Sequence, residues 1–255
     1  MIEFENFVYL DVYRTGSKHT IKLLKKITEE RELRGWRHSS ITKGSPFAMP
    51  RGKIVFATVR NPWDWYVSLW SYGANKLEAI RRYLEEVLPQ DEVKGLYDTG
   101  NPEAAFRKWL RAMHDPDFSS RFMHEGYPRS RLSPFMGLYT FRFQRVTTRY
   151  PHFFLRRWRI RNAGAIRPFH ARRKAYDFVL FNERLTEDLI AFVTQHGDRC
   201  RFKKNAVEII RRADANRINA SLRPLADYRR YYDEESQALV ERRDAFFIDE
   251  FGYRF

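Results

Sequence analysis

The sequence contains a single cysteine, Cys200, so no disulfide can form within the chain. The cysteine and histidines show no metal-ligand spacing, so no metal site is predicted. No run of about 18 apolar residues is present, and the first residues lack the basic and apolar regions of a signal peptide. These absences favour a cytoplasmic protein, although the soluble catalytic domain of an anchored protein would look the same.

Acidic residues are missing from residues 126–176, which contain thirteen Lys or Arg. The whole chain has a formal net charge of +15, and this stretch holds most of the excess. Such a surface attracts polyanions, including nucleic acid, anionic polysaccharide and an anionic membrane face. Within it, Arg156, Trp158 and Arg159 are predicted to bind an anionic glycan, with Trp158 stacking on a sugar. A solvated basic face without a ligand is the alternative.

Apolar runs alternate with helical patterns along the chain. The runs predict buried strands at residues 7–12, 53–59 and 176–181, with a weaker strand-like segment at 36–41. Helical periodicity marks residues 21–27, 63–72, 76–88, 102–113, 137–149, 186–196 and 234–251. The alternation predicts an α/β fold, a three-layer sandwich with a central parallel sheet. A length of 255 residues favours one domain, 1–255, with a mainly helical acceptor-side insertion at about 75–175.

The loop after the first strand has the composition of an anion cradle. Gly16 lets the backbone approach an anion, Ser17 and Thr20 offer hydroxyls, and Arg14 and Lys18 offer charge. The N-terminus of the helix that follows also favours a phosphate or sulfate. The nucleoside-triphosphate loop G-x-x-x-x-G-K-[ST] is absent, since only one glycine is present. An ordinary strand-to-helix turn is the alternative interpretation.

A second basic loop follows the second long strand. Arg60 is predicted at the carboxyl edge of the sheet, where α/β folds bind ligands. Pro62 is predicted to lie in the first turn of the next helix, and Ser68 falls within its first turns. A guanidinium and a hydroxyl so placed suit a terminal phosphate monoester.

The two loops together resemble the sulfotransferases that use 3′-phosphoadenosine 5′-phosphosulfate (PAPS). The first reads Y-R-T-G-S-K-H-T and the second T-V-R-N-P-W-D-W-Y-V-S, matching the R-N-P-x-D-x-x-x-S pattern of that family. The resemblance implies a P-loop nucleoside-triphosphate-hydrolase-like sulfotransferase fold and no metal. It also implies that the first loop binds the 5′-phosphosulfate through Arg14, Thr15, Gly16, Ser17, Lys18, His19 and Thr20. Arg60 and Ser68 are then expected to hold the 3′-phosphate.

The C-terminal part is similar to the carbohydrate-acting branch of this family. The similar segments are D-F-V-L-F-N-E-R-L-T-E-D from residue 177, N-A-S from 219 and Y-Y-D-E-E from 231. By analogy with the family's mobile tail loop, Ser221 and Arg223 are expected to contact the 3′-phosphate. The resemblance implies a carbohydrate acceptor, and the charge of the chain favours an anionic one.

The first loop departs from the family pattern P-K-[ST]-G, because Tyr13-Arg14 replaces Pro-Lys. Arg14 can neutralise charge on the leaving group, although a guanidinium cannot donate a proton at neutral pH. Arg14 is the first candidate for this contact by its position, and Lys18 is the alternative. In-line sulfuryl transfer also needs a base for the acceptor hydroxyl. His38 is the first candidate and His19 the second, with His170 and Glu183 behind them. His114, His124, His152 and His196 are interpreted as surface residues.

Two other classes of function compete with this one. A basic protein that binds nucleic acid or another polyanion without catalysis would use the charge and Trp158, but it leaves both anion loops unexplained, so nucleic acid is the less favoured partner. A nucleotide-dependent kinase needs a glycine-rich loop bearing a lysine, which the sequence lacks.

Overall fold

The computed structural model describes most of the chain as two compact units. The described residues are 1–42, 51–76, 79–123, 126–127, 132–149, 160, 162–215 and 222–255. The first unit comprises Met1–Arg60, Arg142–Phe153 and His170–Ala220. The second comprises Asn61–Phe141, Phe154–Phe169 and Ser221–Phe255.

Helices outnumber strands in the described residues. The strands are β1 (Ile2–Glu3), β2 (Phe7–Leu10), β3 (Arg34–Gly35), β4 (Ile54–Val59) and β5 (Phe178–Phe181). The helices are α1 (Ser17–Ile27), α2 (Pro62–Ala74), α3 (Ala79–Val87), α4 (Gln90–Leu96), α5 (Pro102–His114), α6 (Pro116–Ser119), α7 (Leu138–Thr147), α8 (Ile166–Arg173), α9 (Leu185–His196), α10 (Ala206–Ala215), α11 (Glu234–Arg243) and α12 (Ala245–Phe251). Among these helices none has the length and apolar character needed to cross a bilayer.

The strands form one mixed sheet in the first unit, in the order β3-β1-β2-β4-β5. The centre is parallel, with Leu10 of β2 opposite Ala57 of β4 and Val59 of β4 opposite Phe181 of β5. β1 runs antiparallel to both β2 and β3. The fold is therefore α/β, and β2 and β4 end side by side.

The core of the first unit lies between one face of the sheet and helices α1, α9 and α10. Phe7 and Tyr9 of β2 and Phe56 of β4 belong to one buried cluster with Leu24 of α1 and Phe192 of α9. The strand residues in this cluster alternate along the chain because successive side chains of a strand point to opposite faces. This packing fixes the sheet against α1, whose N-terminus follows β2.

Aromatic side chains dominate the core of the second unit. Trp65 stacks on Tyr139 with ring centroids 4.5 Å apart. Beside them the hydroxyl of Tyr66 lies between the carboxyl group of Asp244 and the imidazole of His114, all of them buried. His114, interpreted as a surface residue from the sequence, is therefore a core residue.

Three sequence predictions about the strands were wrong in detail. The sheet is mixed, whereas the sequence predicted a parallel one, because two-residue strands carry no detectable periodicity. The segment 36–41 is not a strand; the chain pairs at Arg34–Gly35 instead. β2 stops before Val12, whose N–H turns back to the carbonyl of Leu10 at 3.0 Å.

The single helix predicted at 234–251 is two helices, α11 and α12, separated at Asp244. The backbone of Asp244 is non-helical, with φ −104° and ψ 21°. Its buried carboxyl group accepts hydrogen bonds from the N–H and Oγ1 of Thr140 at 2.8 and 2.6 Å. These contacts stabilise a break that an apolar pattern cannot reveal.

Candidate active site

The loop between β2 and α1 is built for close approach of its backbone to a ligand. Gly16 caps α1 in the left-handed conformation with φ 80°, and Arg14 is also left-handed with φ 59°. As a glycine, Gly16 has no side-chain oxygen with which to cap the first-turn N–H groups, and that turn contains no acidic residue. The N-terminus of this eleven-residue helix therefore presents N–H groups and a positive dipole end to an anion.

A chain of buried hydroxyls supports the loop from beneath. Thr15 Oγ1 donates to the carbonyl of Val12 at 3.0 Å and lies 2.7 Å from Thr58 Oγ1, which lies 2.6 Å from Tyr9 Oη. The Thr20 hydroxyl is also buried and donates to the Gly16 carbonyl at 3.3 Å. Thr15 and Thr20, predicted to bind the cofactor, thus use their hydroxyls to stabilise the loop.

Arg60 joins the end of β4 to this loop. Its Nη1 donates to the carbonyl of Arg14 at 3.1 Å. Ser17 is buried at the first position of α1, Lys18 is exposed, and His19 is half-buried. The parallel pairing of β2 with β4 explains why the two loops meet, since both strands end at the same edge of the sheet.

His38 lies beside the end of β2, held by Asp11 and Tyr13. Its Nδ1 lies 3.1 Å from the carbonyl oxygen of Asp11 and 3.4 Å from Asp11 Oδ1. The ring stacks on Tyr13 with centroids 3.8 Å apart. Burial lowers the pKa of His38 and the neighbouring Arg37 acts in the same direction, while the Asp11 carboxylate opposes both. His38 is therefore neutral at pH 7.

Arg37 connects His38 to the helix N-terminus. Its guanidinium forms an ion pair with Asp11 through Nε, and Nη2 lies 3.4 Å from both Asp11 Oδ1 and Ser17 Oγ. Asp11 and Arg37 were missed in the sequence. Asp11 directly follows a buried strand that leads into an anion loop, and that position is the signal that points to it.

The other candidate bases have different surroundings. His170 is buried, with Nδ1 3.0 Å from Gln144 Oε1 and Nε2 2.9 Å from the hydroxyl of Tyr176, so both ring nitrogens are already engaged. Glu183 lies in an exposed 3-10 turn, Asn182–Arg184, at the end of β5.

The remaining predicted residues belong to the second unit or lie outside the described residues. Ser68 is fully buried in α2. The guanidinium of Arg223 pairs with Asp64 at 2.6 Å. Arg156, Trp158, Arg159 and Ser221 lie outside the described residues.

A groove of about 640 Å³ also runs along β5 and α9 in the first unit. Its lining includes Lys53 and Asp177, which precede β4 and β5, and the aromatic ring of Phe192. It therefore reaches the amino-terminal ends of these strands, opposite the edge where Arg60 lies. Nothing in the described part of the chain gathers three or more His, Cys, Asp or Glu side chains into a possible metal site.

No protein-family model, no curated protein and no solved structure matches this chain. The groups of the chain that bear on its function are the loop at Gly16, Arg60 and the cluster around His38. These groups lie at or near the carboxyl ends of β2 and β4 in one unit.

Proposed function

We propose that the protein is a sulfotransferase that transfers a sulfuryl group from PAPS to a hydroxyl of a carbohydrate, with a P-loop-like sulfotransferase fold. The observation that carries this proposal is the 3.1 Å hydrogen bond from Arg60 Nη1 to the carbonyl of Arg14. It brings the two basic loops together at one edge of the sheet. A nucleotide with a phosphate at both ends of its ribose needs two such anion-binding groups.

The residues of this edge fit the 5′-phosphosulfate end of PAPS. The N–H groups at the start of α1 and the left-handed loop at Arg14 and Gly16 suit a sulfate or phosphate. The first turn of α1 has no carboxylate to repel it. Arg60, at the end of the adjacent strand, is the guanidinium proposed for the 3′-phosphate.

PAPS supplies a sulfuryl group whose bond to the 5′-phosphate oxygen breaks as the acceptor oxygen bonds to sulfur. His38 takes the acceptor proton. Its Nδ1 faces the carbonyl oxygen of Asp11, which can only accept, so Nδ1 carries the hydrogen and Nε2 has the free lone pair. Arg14 and the α1 N–H groups stabilise the negative charge that builds on the departing phosphate. The other product is adenosine 3′,5′-bisphosphate.

The acceptor class follows from charge. The chain carries +15, and residues 126–176 contain thirteen Lys or Arg without one acid. A basic surface raises the local concentration of a polyanion and speeds its encounter. An anionic glycan is therefore the proposed acceptor, with Arg156, Trp158 and Arg159 as its expected contacts.

Transfer of ³⁵S from labelled PAPS to a panel of anionic and neutral glycans tests the proposal. We expect label in an anionic glycan, and none when unlabelled adenosine 3′,5′-bisphosphate competes. Transfer of ³²P from the γ-position of ATP with Mg²⁺, without any ³⁵S transfer, would instead identify a kinase.

His38→Ala tests the assignment of the base. We expect turnover to fall by roughly 10²–10⁴-fold, the usual contribution of a general base, with unchanged binding of adenosine 3′,5′-bisphosphate. His196→Ala is the matched control, because His196 lines the groove along β5 and α9. Unchanged turnover in His38→Ala would reject His38 as the base.

A further inference from the structure

The carboxyl group of Asp11 is buried and forms an ion pair with Arg37, and it is surrounded by groups of the candidate active site. Asp11 is 0% exposed, whereas the side chain of its partner Arg37 is 47% exposed. Burying a carboxylate is unfavourable unless it is paired and hydrogen-bonded. Its partners are the Arg37 guanidinium, the His38 backbone N–H at 3.4 Å and the His38 ring at 3.4 Å.

His38 adopts a conformation that needs support from its surroundings. Its φ is 52°, a left-handed value that is uncommon for a residue with a side chain. The ring is fixed on one face by Tyr13 and at Nδ1 by Asp11. The guanidinium of Arg142 lies 4.8 Å from the centroid of Tyr13. Strained residues persist where the surroundings over-determine them, as they do at functional sites.

The charges near His38 have opposite effects on its protonated form. The Asp11 carboxylate favours the imidazolium, whereas Arg37 and the amino group of Met1 disfavour it. Among these groups Asp11 is the anion, so it is the one that can compensate the positive charge a base acquires.

The carboxyl group of Asp11 also positions a cation, because it pairs with Arg37. Its Nη2 lies 3.4 Å from Asp11 Oδ1 and 3.4 Å from Ser17 Oγ, on the first residue of α1. Asp11 therefore holds one cation at the helix N-terminus and the imidazole beside it. The candidate base and the N-terminus of α1 are therefore both connected to the buried carboxyl group of Asp11.

We propose that Asp11 is a positioning residue, which orients His38 as the base, stabilises the imidazolium formed during transfer and holds Arg37 against Ser17. This role rests on the proposed sulfotransferase function. It goes beyond that function because it assigns a buried carboxylate to the reaction and places it between the base and the donor site.

The first test is an NMR titration of the His38 ring, with its signals assigned by their loss in His38→Ala. Asp11→Asn keeps the shape of the side chain and removes its charge, so we expect the pKa of His38 to fall. Arg37→Gln removes the opposing cation, so we expect the pKa to rise. Glu30→Gln is the control, since Glu30 is a buried carboxylate that accepts hydrogen bonds from Asn6, and it should leave His38 unmoved.

The second test is a double-mutant cycle on turnover. Asp11→Asn should lower kcat and move the acid limb of the pH profile of kcat/KM to lower pH. At saturating PAPS the double variant with His38→Ala should have the kcat of His38→Ala alone, because Asp11 acts on the chemical step through His38, whereas its ion pair with Arg37 acts on binding of the donor. A cooperative urea unfolding transition of Asp11→Asn shows that the variant is folded.

An unmoved His38 pKa in Asp11→Asn, or additive losses in the double variant, would overturn the role of Asp11 in an active transferase. Absence of ³⁵S transfer by the wild-type protein would overturn the proposed function, and the role of Asp11 with it.

Discussion

Two of the four non-glycine residues with positive φ among the described residues, Arg14 and His38, lie in the candidate active site. Each left-handed residue with a side chain costs roughly 1–2 kcal/mol. Gly16, which lies between Arg14 and His38 in the sequence, also has a left-handed backbone, and a glycine adopts this conformation without that cost. Arg14 and His38 therefore keep backbone conformations that are unfavourable in an unconstrained chain. This indicates that the function of the site requires these conformations.

Gly16→Ala tests this geometry at a single residue. An alanine Cβ would lie 2.6 Å from Asn182 Nδ2, so the amide must move, and φ 80° is strained for alanine. We expect a loss of stability of roughly 1–2 kcal/mol and loss of binding to adenosine 3′,5′-bisphosphate, measured by urea denaturation and calorimetry.

Gly52→Ala is the matched control, because Gly52 also has positive φ, 72°, and nothing lies within 4 Å of its would-be Cβ. It should lose similar stability but bind the nucleotide normally. Equal nucleotide binding by the two variants would contradict the role of the Gly16 loop.

At the scale of elements, the break between α11 and α12 depends on a buried hydrogen-bonded chain. Asp244 Oδ2 lies 2.8 Å from Tyr66 Oη, and Tyr66 Oη lies 3.1 Å from His114 Nε2. His114 Nδ1 lies 2.9 Å from the carbonyl oxygen of Leu110, which can only accept a hydrogen. A neutral His114 therefore carries its hydrogen on Nδ1.

The single hydroxyl hydrogen of Tyr66 cannot serve both of its neighbours. If it goes to His114 Nε2, Asp244 must carry a proton and donate it to Tyr66. Burial raises the pKa of Asp244 and lowers the pKa of His114 to about 4. Both shifts favour the neutral forms, so we predict a protonated Asp244 beside a neutral His114.

Asp244→Asn tests this assignment, because its amide donates to Tyr66 as a protonated carboxyl group does. We expect stability at pH 7 equal to or above that of the wild type in urea denaturation. Asp244→Ala, the control, leaves Thr140 and Tyr66 without their partner and should lose roughly 1–3 kcal/mol. A similar loss in Asp244→Asn would show that the carboxylate is ionised.

The pH dependence of the same pair has a definite sign. A carboxyl group with a raised folded-state pKa contributes stability that is present below its unfolded pKa and is lost as pH rises through the folded one. We therefore expect the wild type to lose stability relative to Asp244→Asn as pH rises.

His114 acts in a different pH window, which the Asp244→Asn background isolates. The imidazole of the unfolded chain binds a proton below its ordinary pKa of 6.5, whereas the folded one resists protonation until about pH 4. Stability should fall over this interval by about 3 kcal/mol, as measured by urea denaturation at several pH values. The fall should shrink by about that amount when His114→Gln is added, leaving the smaller contribution of groups such as His38, whose pKa is also lowered. An unchanged fall in that variant would assign it to another group.

The break between α11 and α12 also shows why a local sequence pattern could not predict this part of the fold. A helix broken by one aspartate keeps its apolar pattern, so residues 234–251 predicted a single helix. The partners of Asp244 are 104 and 178 residues away along the chain. The buried face of α5 at Phe106, Leu110 and Met113 continues to His114, but the pattern does not reveal its partner Tyr66, which is 48 residues away.

At the scale of the whole molecule, the parallel centre of the sheet was predictable and its edges were not. The apolar runs of β2, β4 and β5 are long enough to be recognised, whereas β1 and β3 have two residues each. Parallel order places the ends of β2 and β4 together, so the approach of Arg60 to the first loop followed from topology. The contacts of Asp11 with Arg37 and His38 depend on the path of the chain after α1, which no local pattern encodes.

The central claim is that the Gly16 loop and Arg60 bind one nucleotide, and a thermal-shift titration tests it most directly. Adenosine 3′,5′-bisphosphate at 100 times its Kd should raise the free energy of unfolding of the wild type by about 2.7 kcal/mol. ATP with Mg²⁺ should stabilise it less. Arg60→Ala should abolish the shift, and Arg31→Ala, at an exposed arginine beyond the other end of α1, should keep it. An intact shift in Arg60→Ala, or stabilisation by ATP with Mg²⁺ alone, would contradict the claim.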